Sequence, residues 1–192
     1  MQISPRIYHS IVRPKWITNI YIHNKVRQHF DFSDKSVLDF GAGTGANCTL
    51  CSPHHYLGID PDSHRIDFAR RMYNDYRFMA YTGNELPVED NSFDFILIVA
   101  VLHHIHPEMI PRYIKEFKRV LKPKGKIVVI EPCFFERSPL SNWFMNYYDK
   151  GDYIQNEKDY LYYFTDQDFQ CHVIKKFKKC FFYNELYFTA FL

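Results

Sequence analysis

The chain has 192 residues, and its 24 lysines and arginines against 22 aspartates and glutamates leave a formal net charge of +2. So small an imbalance gives no general attraction to nucleic acid or to an anionic membrane. No apolar run reaches the length of a transmembrane helix, and no signal-peptide core is present, so we expect a soluble, cytoplasmic protein without a membrane span.

Strand and helix signals alternate along the first two thirds of the chain. In order, the sequence predicts a helix at 16–30, a strand at 36–40, a helix at 46–51, a strand at 56–59, a helix at 63–72, strands at 77–81 and 93–100, a helix at 107–121 and a strand at 126–131. Such alternation predicts an α/β fold with a doubly wound, mainly parallel sheet.

The last third of the chain departs from this alternation. Residues 132–170 are rich in aromatic side chains, and strand-like runs follow at 173–182 and 185–191. The link between these two runs is too short for a crossover helix, so they predict an antiparallel hairpin. We expect a single domain over 1–192, with an N-terminal helical lid (1–34), a core (35–131), a cap insert (132–170) and the hairpin (171–192).

The segment SVLDFGAGTGANCTL, residues 36–50, is the strongest local signal. An apolar strand runs into glycines at alternate positions, Gly41, Gly43 and Gly45, and then into a predicted helix. Glycines there permit unusual backbone angles and close approach of a ligand, and the first N–H groups of the helix would face that ligand. The pattern predicts a site for a nucleotide-like molecule.

Asp60 ends the second predicted strand, fifteen positions after Gly45. An acidic residue at this place is suited to accept hydrogen bonds from both hydroxyls of a ribose. The alternative is that Asp60 caps the next helix, because Asp followed by Pro is a common helix start, although Asp62 is equally placed for that role.

The five cysteines are odd in number and scattered, which disfavours a disulfide framework. Cys48 and Cys51 have the spacing of a metal-binding pair, with His54 and His55 close behind, but no second pair follows at ligand spacing. We therefore expect buried thiols and no metal site.

Five motifs in order, VLDFGAGTG (37–45), LGIDPD (57–62), ELPVEDNSFD (85–94), VLHHI (101–105) and FKRVLKPKGKIVVIEP (117–132), resemble those of class I S-adenosylmethionine-dependent methyltransferases. The closest likeness is to the ubiquinone-biosynthesis-like, small-molecule branch (methyltransferase type 11). The resemblance implies a Rossmann-like, seven-stranded sheet, S-adenosyl-L-methionine as cofactor and a small-molecule acceptor.

The resemblance also implies a set of cofactor-binding residues: Asp39, Gly41, Ala42, Gly43, Thr44, Gly45, Asp60, Pro61, Thr82, Gly83, Asn84, Glu85 and Val99. The glycine turn would lie against the methionine portion, with Asp39 near its ammonium group and Val99 close by. Asp60 would hold the ribose, and residues 82–85 would lie beside the adenine. Where the family often has Asp, this chain has Thr82, so either Thr82 or Asn84 reads the adenine amino group.

His103 and His104 are the candidate catalytic residues, with His106 a weaker one, because they follow the fourth predicted strand at the edge where α/β sites lie. Histidine suits proton transfer near neutral pH. A base is needed only when the acceptor is protonated, so these side chains can equally pack or cap the next helix.

Two other functions are compatible with part of the pattern. Gly41, Gly43 and Ala46 satisfy a relaxed dinucleotide fingerprint, which leaves an NAD-dependent oxidoreductase as an alternative, and a methyltransferase-like protein that only binds is another. The fourth strand lacks the Asn/Asp-Pro-Pro-aromatic motif of base methylation. The basic cluster at 175–179 fits a protected sheet edge better than RNA binding, so no nucleic-acid partner is expected.

The aromatic side chains of the cap insert favour a small, apolar or aromatic acceptor over a polymer. Trp143 and Tyr147 are four residues apart and would share one helix face, so they are the first candidates for the acceptor pocket. The alternative for each is that it packs the cap against the sheet. The sequence does not indicate an oligomeric state.

Overall fold

The computed structural model describes residues 18–83, 85–149, 152–180 and 182–192. The chain forms two compact units, Met1–Gly83 and Asn84–Leu192. The single domain with a lid, core, cap and hairpin stays a prediction, and the first seventeen residues of the expected lid, like Asn84, lie outside the described residues.

The first unit is built around three short parallel strands. Its elements are a π-helical turn Asn19–His23, helix α1 (Asn24–His29), strand β1 (Val37–Phe40), strand β2 (Tyr56–Asp60), helix α2 (Ser63–Met72) and strand β3 (Arg77–Ala80). Strand β2 pairs with β1 on one side and with β3 on the other. Every residue of β1 and β2 is buried, as their apolar character predicts.

The helix predicted at 46–51 is wrong. Turns follow Gly45, and the helical structure between Gly45 and β2 consists of two 3₁₀ turns, Cys48–Leu50 and Pro53–His55. Only ten residues, 46–55, separate Gly45 from β2. That length leaves no room for a crossover helix together with its two connections, so 3₁₀ turns, and not an α-helix, follow the glycine turn.

The second unit contains the remaining strands. Its elements are β4 (Phe93–Val99), helix α3 (Ile110–Val120), β5 (Leu121–Phe134), helix α4 (Pro139–Tyr148), β6 (Gln155–Asn156), helix α5 (Glu157–Thr165), β7 (Gln170–Lys179) and β8 (Tyr183–Phe191). Strand β4 pairs parallel with β5, which pairs antiparallel with β8, and β8 pairs antiparallel with the outer strand β7. The antiparallel hairpin is therefore confirmed.

Strand β5 is much longer than the predicted 126–131. It continues as far as Phe134 because its far end pairs with β6, Cys133 opposite Gln155, while β8 accompanies it up to Pro132. The described residues therefore hold eight strands rather than the expected seven, and the extra strand, β6, has only two residues.

Helix α3 buries one face of an amphipathic pattern, with Ile114 and Phe117 fully inside. In the cap insert, Tyr160 and Phe164 of α5 and Met145 of α4 are fully buried, and the Phe164 ring meets the Phe188 ring edge to face. The core of this unit therefore includes part of the insert. Within the ranges that the structure describes, no helix is long and apolar enough to cross a bilayer.

Candidate cofactor and acceptor site

The glycine turn at the end of β1 requires glycine for two different reasons. Gly43 and Gly45 both have left-handed backbone angles, φ +54° and +80°, which other residues resist. A Cβ at Gly45 would lie 2.8 Å from the Phe78 ring, so this glycine is needed for packing. A Cβ at Gly43 would meet nothing closer than 3.9 Å, so at this position the left-handed backbone angle, and not packing, is what requires glycine.

Asp60 lies at the carboxyl end of β2, against the glycine turn. Its Oδ2 accepts the Gly43 N–H at 2.8 Å and its Oδ1 accepts the Asp62 N–H at 2.9 Å. Burial raises the pKa of this carboxyl, although the two backbone donors oppose the rise. Each oxygen uses one acceptor position for the backbone and keeps another for a ligand hydroxyl. The site therefore fits a ribose.

The alternative role for Asp60, as a helix cap, is wrong. Helix α2 is capped by Asp62, whose Oδ1 accepts the N–H groups of His64 and Arg65 at 2.9 and 3.2 Å. Pro61 is exposed between the two aspartates. Each aspartate therefore has its own task, and the Asp60 carboxylate is left for the turn and for a ligand.

Asp39 is buried in β1, next to the glycine turn, and it contacts Tyr56, a pairing that the sequence did not indicate. Its Oδ2 accepts the Tyr56 hydroxyl proton at 2.7 Å, and Asn47 Nδ2 lies 3.5 Å from Oδ1. Burial, then the charge of Asp39, raises the pKa of Tyr56 above its ordinary value. This contact fixes the carboxylate from within, while its expected role near the cofactor ammonium group stays a prediction.

Gly58 is the sequence signal that could have revealed the pair. It stands opposite Asp39 in the sheet, in the middle of an otherwise bulky strand. A Cβ there would lie 2.8 Å from the Tyr56 hydroxyl oxygen, so any residue larger than glycine would clash with that oxygen. Ala42 and Thr44, also expected at the cofactor, are both buried in the turn.

The expected adenine loop is divided between the two units. Thr82 and Gly83 follow β3 as irregular chain in the first unit, with Thr82 exposed, and Glu85 is exposed at the start of the second unit. Val99 ends β4 and is buried. Which residue reads the adenine, and what Val99 contacts, stay predictions.

The second unit contains a buried ionic cluster after β4. Glu131 of β5 is fully buried, and its Oε1 accepts the N–H groups of Val101 and Leu102 at 2.7 and 2.9 Å. Its Oε2 lies 2.7 Å from His103 Nδ1. One carboxylate therefore fixes both the backbone and the first histidine of the segment in which the catalytic candidates lie.

His103 has a carboxylate on each side of its ring. Nε2 lies 3.7 Å from Asp149 Oδ1, at the end of α4, opposite the contact with Glu131. Burial alone would lower the pKa of His103, but hydrogen bonding to Glu131 and the negative charges of Glu131, Asp149 and Glu185 raise it above its ordinary value. With a carboxylate at each ring nitrogen, neither nitrogen is directed at an acceptor, so this geometry favours a positioning role for His103.

His104 differs from His103 in its exposure. Its ring centroid lies 4.0 Å from that of His103, yet the residue is exposed. His106 is also exposed, and its Nδ1 accepts the Glu108 N–H at 3.4 Å as it caps the 3₁₀ turn Pro107–Met109. A catalytic role for His104 therefore stays a prediction.

Two of the buried cysteines are unreactive thiols. Burial raises the pKa of Cys51 far above its ordinary value and that of Cys133 to about 12, so both are thiols at neutral pH. Among the described residues, no three His, Cys, Asp or Glu side chains come together in a way that could hold a metal ion.

Known proteins resemble this chain both in sequence and in structure. Residues 38–129 match the family model of a methyltransferase domain. Demethylmenaquinone methyltransferase of Thermotoga maritima is 30% identical over 105 residues, 53% of this chain and 45% of that protein. Fatty-acid O-methyltransferase of Mycolicibacterium smegmatis is 30% identical over 113 residues, 56% of this chain and 40% of that protein. The matched segment spans less than half the length of either relative.

A solved structure agrees over nearly the whole chain. A SAM-dependent methyltransferase from Aquifex aeolicus matches with a TM-score of 0.71 at 19% identity, covering 99% of this chain and 100% of that one. At so low an identity the likeness shows the fold. The expected Rossmann-like α/β fold with a C-terminal antiparallel hairpin is confirmed.

Proposed function

We infer that the chain belongs to the class I S-adenosylmethionine-dependent methyltransferases, and from that premise we propose that it methylates a small, apolar or aromatic acceptor by in-line displacement. S-adenosylmethionine, when bound, supplies a methyl group that its sulfonium has already activated. The observation that carries the proposal is the Asp60 carboxylate, 7% exposed and held against the glycine turn by the Gly43 N–H.

The cofactor-binding part of the site is assigned to side chains and backbone of the first unit. Asp60 holds the ribose hydroxyls through its unused acceptor positions, and the backbone around Gly43 lies against the methionine portion. Asp39, fixed by Tyr56, contributes its charge from beneath the turn. The negative charge of both aspartates suits a cofactor that carries a sulfonium and an ammonium group.

The protein's own contribution to the reaction is mainly alignment and exclusion of water, because the methyl group needs no further activation. The Glu131 carboxylate holds residues 101–103 in one conformation, and the His103 ring stays in contact with Glu131. His104 takes up the acceptor proton when the acceptor is not already ionised.

The acceptor class is supported by the relatives and by the cap insert. The names of two relatives specify demethylmenaquinone and fatty acid, both small and largely apolar. The aromatic side chains of 132–170 are of the kind that line apolar pockets. The acceptor is therefore proposed to be a lipid-like or aromatic small molecule, and the enzyme to act in the cytoplasm as a protein without a membrane span.

Isothermal calorimetry with S-adenosylmethionine, S-adenosylhomocysteine and NAD tests the first step. We expect both sulfur ligands to bind and NAD not to bind. Binding of NAD alone would favour the oxidoreductase. Binding of S-adenosylmethionine without release of S-adenosylhomocysteine, over a panel of quinols, phenols and fatty acids, would favour a protein that only binds.

A further inference from the structure

Five aromatic rings form a continuous chain on helix α4 and the β7–β8 turn. The Trp143 and Tyr147 rings stack at 5.9 Å with 13° between their planes, and the Tyr148 ring lies 4.9 Å from that of Tyr147. The Phe144 ring continues the chain, 4.7 Å from Tyr148 and 5.6 Å from Phe182. Helix α4 and the turn therefore present one connected apolar surface.

This surface is open to solvent. Leu140, Trp143, Tyr147 and Tyr148 are 60 to 70% exposed and Phe182 is 44% exposed. The opposite side of α4 is the one that packs, since Ser141 and Met145 are buried. A connected patch of large apolar side chains on the outside of a folded unit marks a surface that contacts something else. We refer to Leu140, Trp143, Phe144, Tyr147, Tyr148 and Phe182 as the α4 aromatic face.

Positive charge lies on β7, just before the turn that carries Phe182. Strand β7 has four lysines, Lys175, Lys176, Lys178 and Lys179, of which Lys176 and Lys179 form ion pairs with Glu157 and Glu185. Lys178 Nζ lies 3.2 Å from Ser141 Oγ, so the strand contacts helix α4 on its buried side. Exposed Arg137 precedes the helix by two residues. The composition of this region is therefore aromatic and basic together.

We propose that the α4 aromatic face docks on the surface of an anionic lipid bilayer, with the lysines of β7 facing the headgroups. Tryptophan and tyrosine side chains prefer the boundary between headgroups and acyl chains, and basic residues beside them are attracted to anionic lipids. The proposal concerns a surface and not a span, and it does not depend on which reaction the protein performs.

The observations favour a bilayer over the other occupants. A second copy of the chain packed face to face would bring two lysine-rich strands together, which like charges oppose. Single-stranded nucleic acid needs open ring faces for its bases, whereas Trp143 and Tyr147 stack on each other. Lysines on an outer strand also discourage strand pairing, but that role does not explain the exposed rings on α4.

Trp143 is one of only two tryptophans, so it can report on docking directly. In Trp16→Phe, which leaves Trp143 as the sole indole, vesicles of phosphatidylcholine with 30% phosphatidylglycerol, about 100 nm across, should shift the emission to shorter wavelength. Lipids brominated on the acyl chain should quench it. Emission that stays unchanged at every lipid concentration would overturn the proposal.

Co-sedimentation with the same vesicles tests which side chains carry the binding. Trp143→Ala with Tyr147→Ala should lower the partition coefficient at least about tenfold, because two interfacial aromatics are lost. The control Tyr162→Ala removes an equally exposed tyrosine of α5 and should change nothing. Equal loss in the control, or no loss in the double variant, contradicts the proposal.

The charges are tested separately with matched double reversals. The double variant Lys175→Glu, Lys178→Glu should abolish the preference for anionic over neutral vesicles. The control double variant Lys115→Glu, Lys158→Glu makes the same change in net charge elsewhere and should keep that preference. Circular dichroism and melting temperature establish that each variant is folded. A wild type that elutes as a dimer, and a Trp143/Tyr147 variant that elutes as a monomer, would show instead that a second copy covers the face and would overturn the proposal.

Discussion

At the scale of single residues, Asp60 and Asp62, on either side of Pro61, have carboxylates that hold different parts of the chain. The carboxylate of Asp60 is buried against the glycine turn, and that of Asp62 caps helix α2. From the sequence alone, the roles of the two aspartates are interchangeable, because an Asp before Pro and an Asp after Pro are both common helix starts. Only the direction of each side chain distinguishes them.

Replacing Asp60 by Ala should weaken S-adenosylhomocysteine binding by about 1.5–3 kcal/mol, the range for hydrogen bonds to a charged group. Calorimetry measures the change. The matched variant Asp62→Ala loses the helix cap and should lower the free energy of unfolding by about 0.5–2 kcal/mol, with cofactor affinity retained. The reverse pattern would assign the ribose to Asp62.

His103 should make the stability of the protein depend on pH. Because its pKa is raised in the folded state above the ordinary 6.5, its ion pair contributes fully below about pH 6.5 and is lost as the pH rises through the folded pKa. Melting temperature should therefore fall from pH 6 toward the weakly alkaline range. His103→Gln should flatten this profile, and the exposed neighbour variant His104→Gln should keep it. A slope that survives in His103→Gln would refute the assignment.

At the scale of elements, helix α4 is the part of the cap whose two sides differ most. The prediction that Trp143 and Tyr147 share a face is confirmed by their stacked rings, and the alternative that they pack the cap against the sheet is wrong, because that face is exposed. Helical spacing shows which residues lie together, but it does not show which face turns inward when both faces carry apolar side chains. A pocket role for the pair stays a prediction.

Met145→Ala should lower the free energy of unfolding by about 2–5 kcal/mol, since Met145 is fully buried and its loss leaves a cavity. Tyr147→Ala, on the same helix but 70% exposed, should change stability by no more than about 0.5 kcal/mol. Urea unfolding of the two variants measures both. A large loss in Tyr147→Ala would mean that its ring is covered in the folded protein.

At the scale of the whole molecule, the sequence predicted the first four strands well and the later strands and the connections less well. Strands β2 and β4 and helix α2 lie within one residue of their predicted bounds, because long apolar or amphipathic runs determine them locally. The missing helix after Gly45 follows from the short connection to β2, and the extension of β5 follows from its pairing with β6. The Asp39–Tyr56 and Glu131–His103 contacts join residues 17 and 28 positions apart, which no local pattern reveals.

Saturating S-adenosylhomocysteine should raise the melting temperature of the whole chain. A ligand at one hundred times its dissociation constant contributes about 2.7 kcal/mol, which for a chain of this length corresponds to roughly 5–10 °C. Differential scanning fluorimetry measures the shift, with adenosine alone and NAD as comparisons. An equal shift with NAD would argue against the cofactor assignment.

The position of β8 has a consequence for how the protein is made. Ribosomes synthesise β8 after every other described strand, yet it lies between β5 and β7 and pairs with both. Until it emerges, a nascent chain has two unpaired strand edges, the kind of surface on which newly made chains aggregate. Removal of residues 186–192 should therefore send most of the protein to the insoluble fraction. Pulse-labelling with fractionation would compare this truncation with the 192-residue chain, and equal solubility of the two would contradict the expectation.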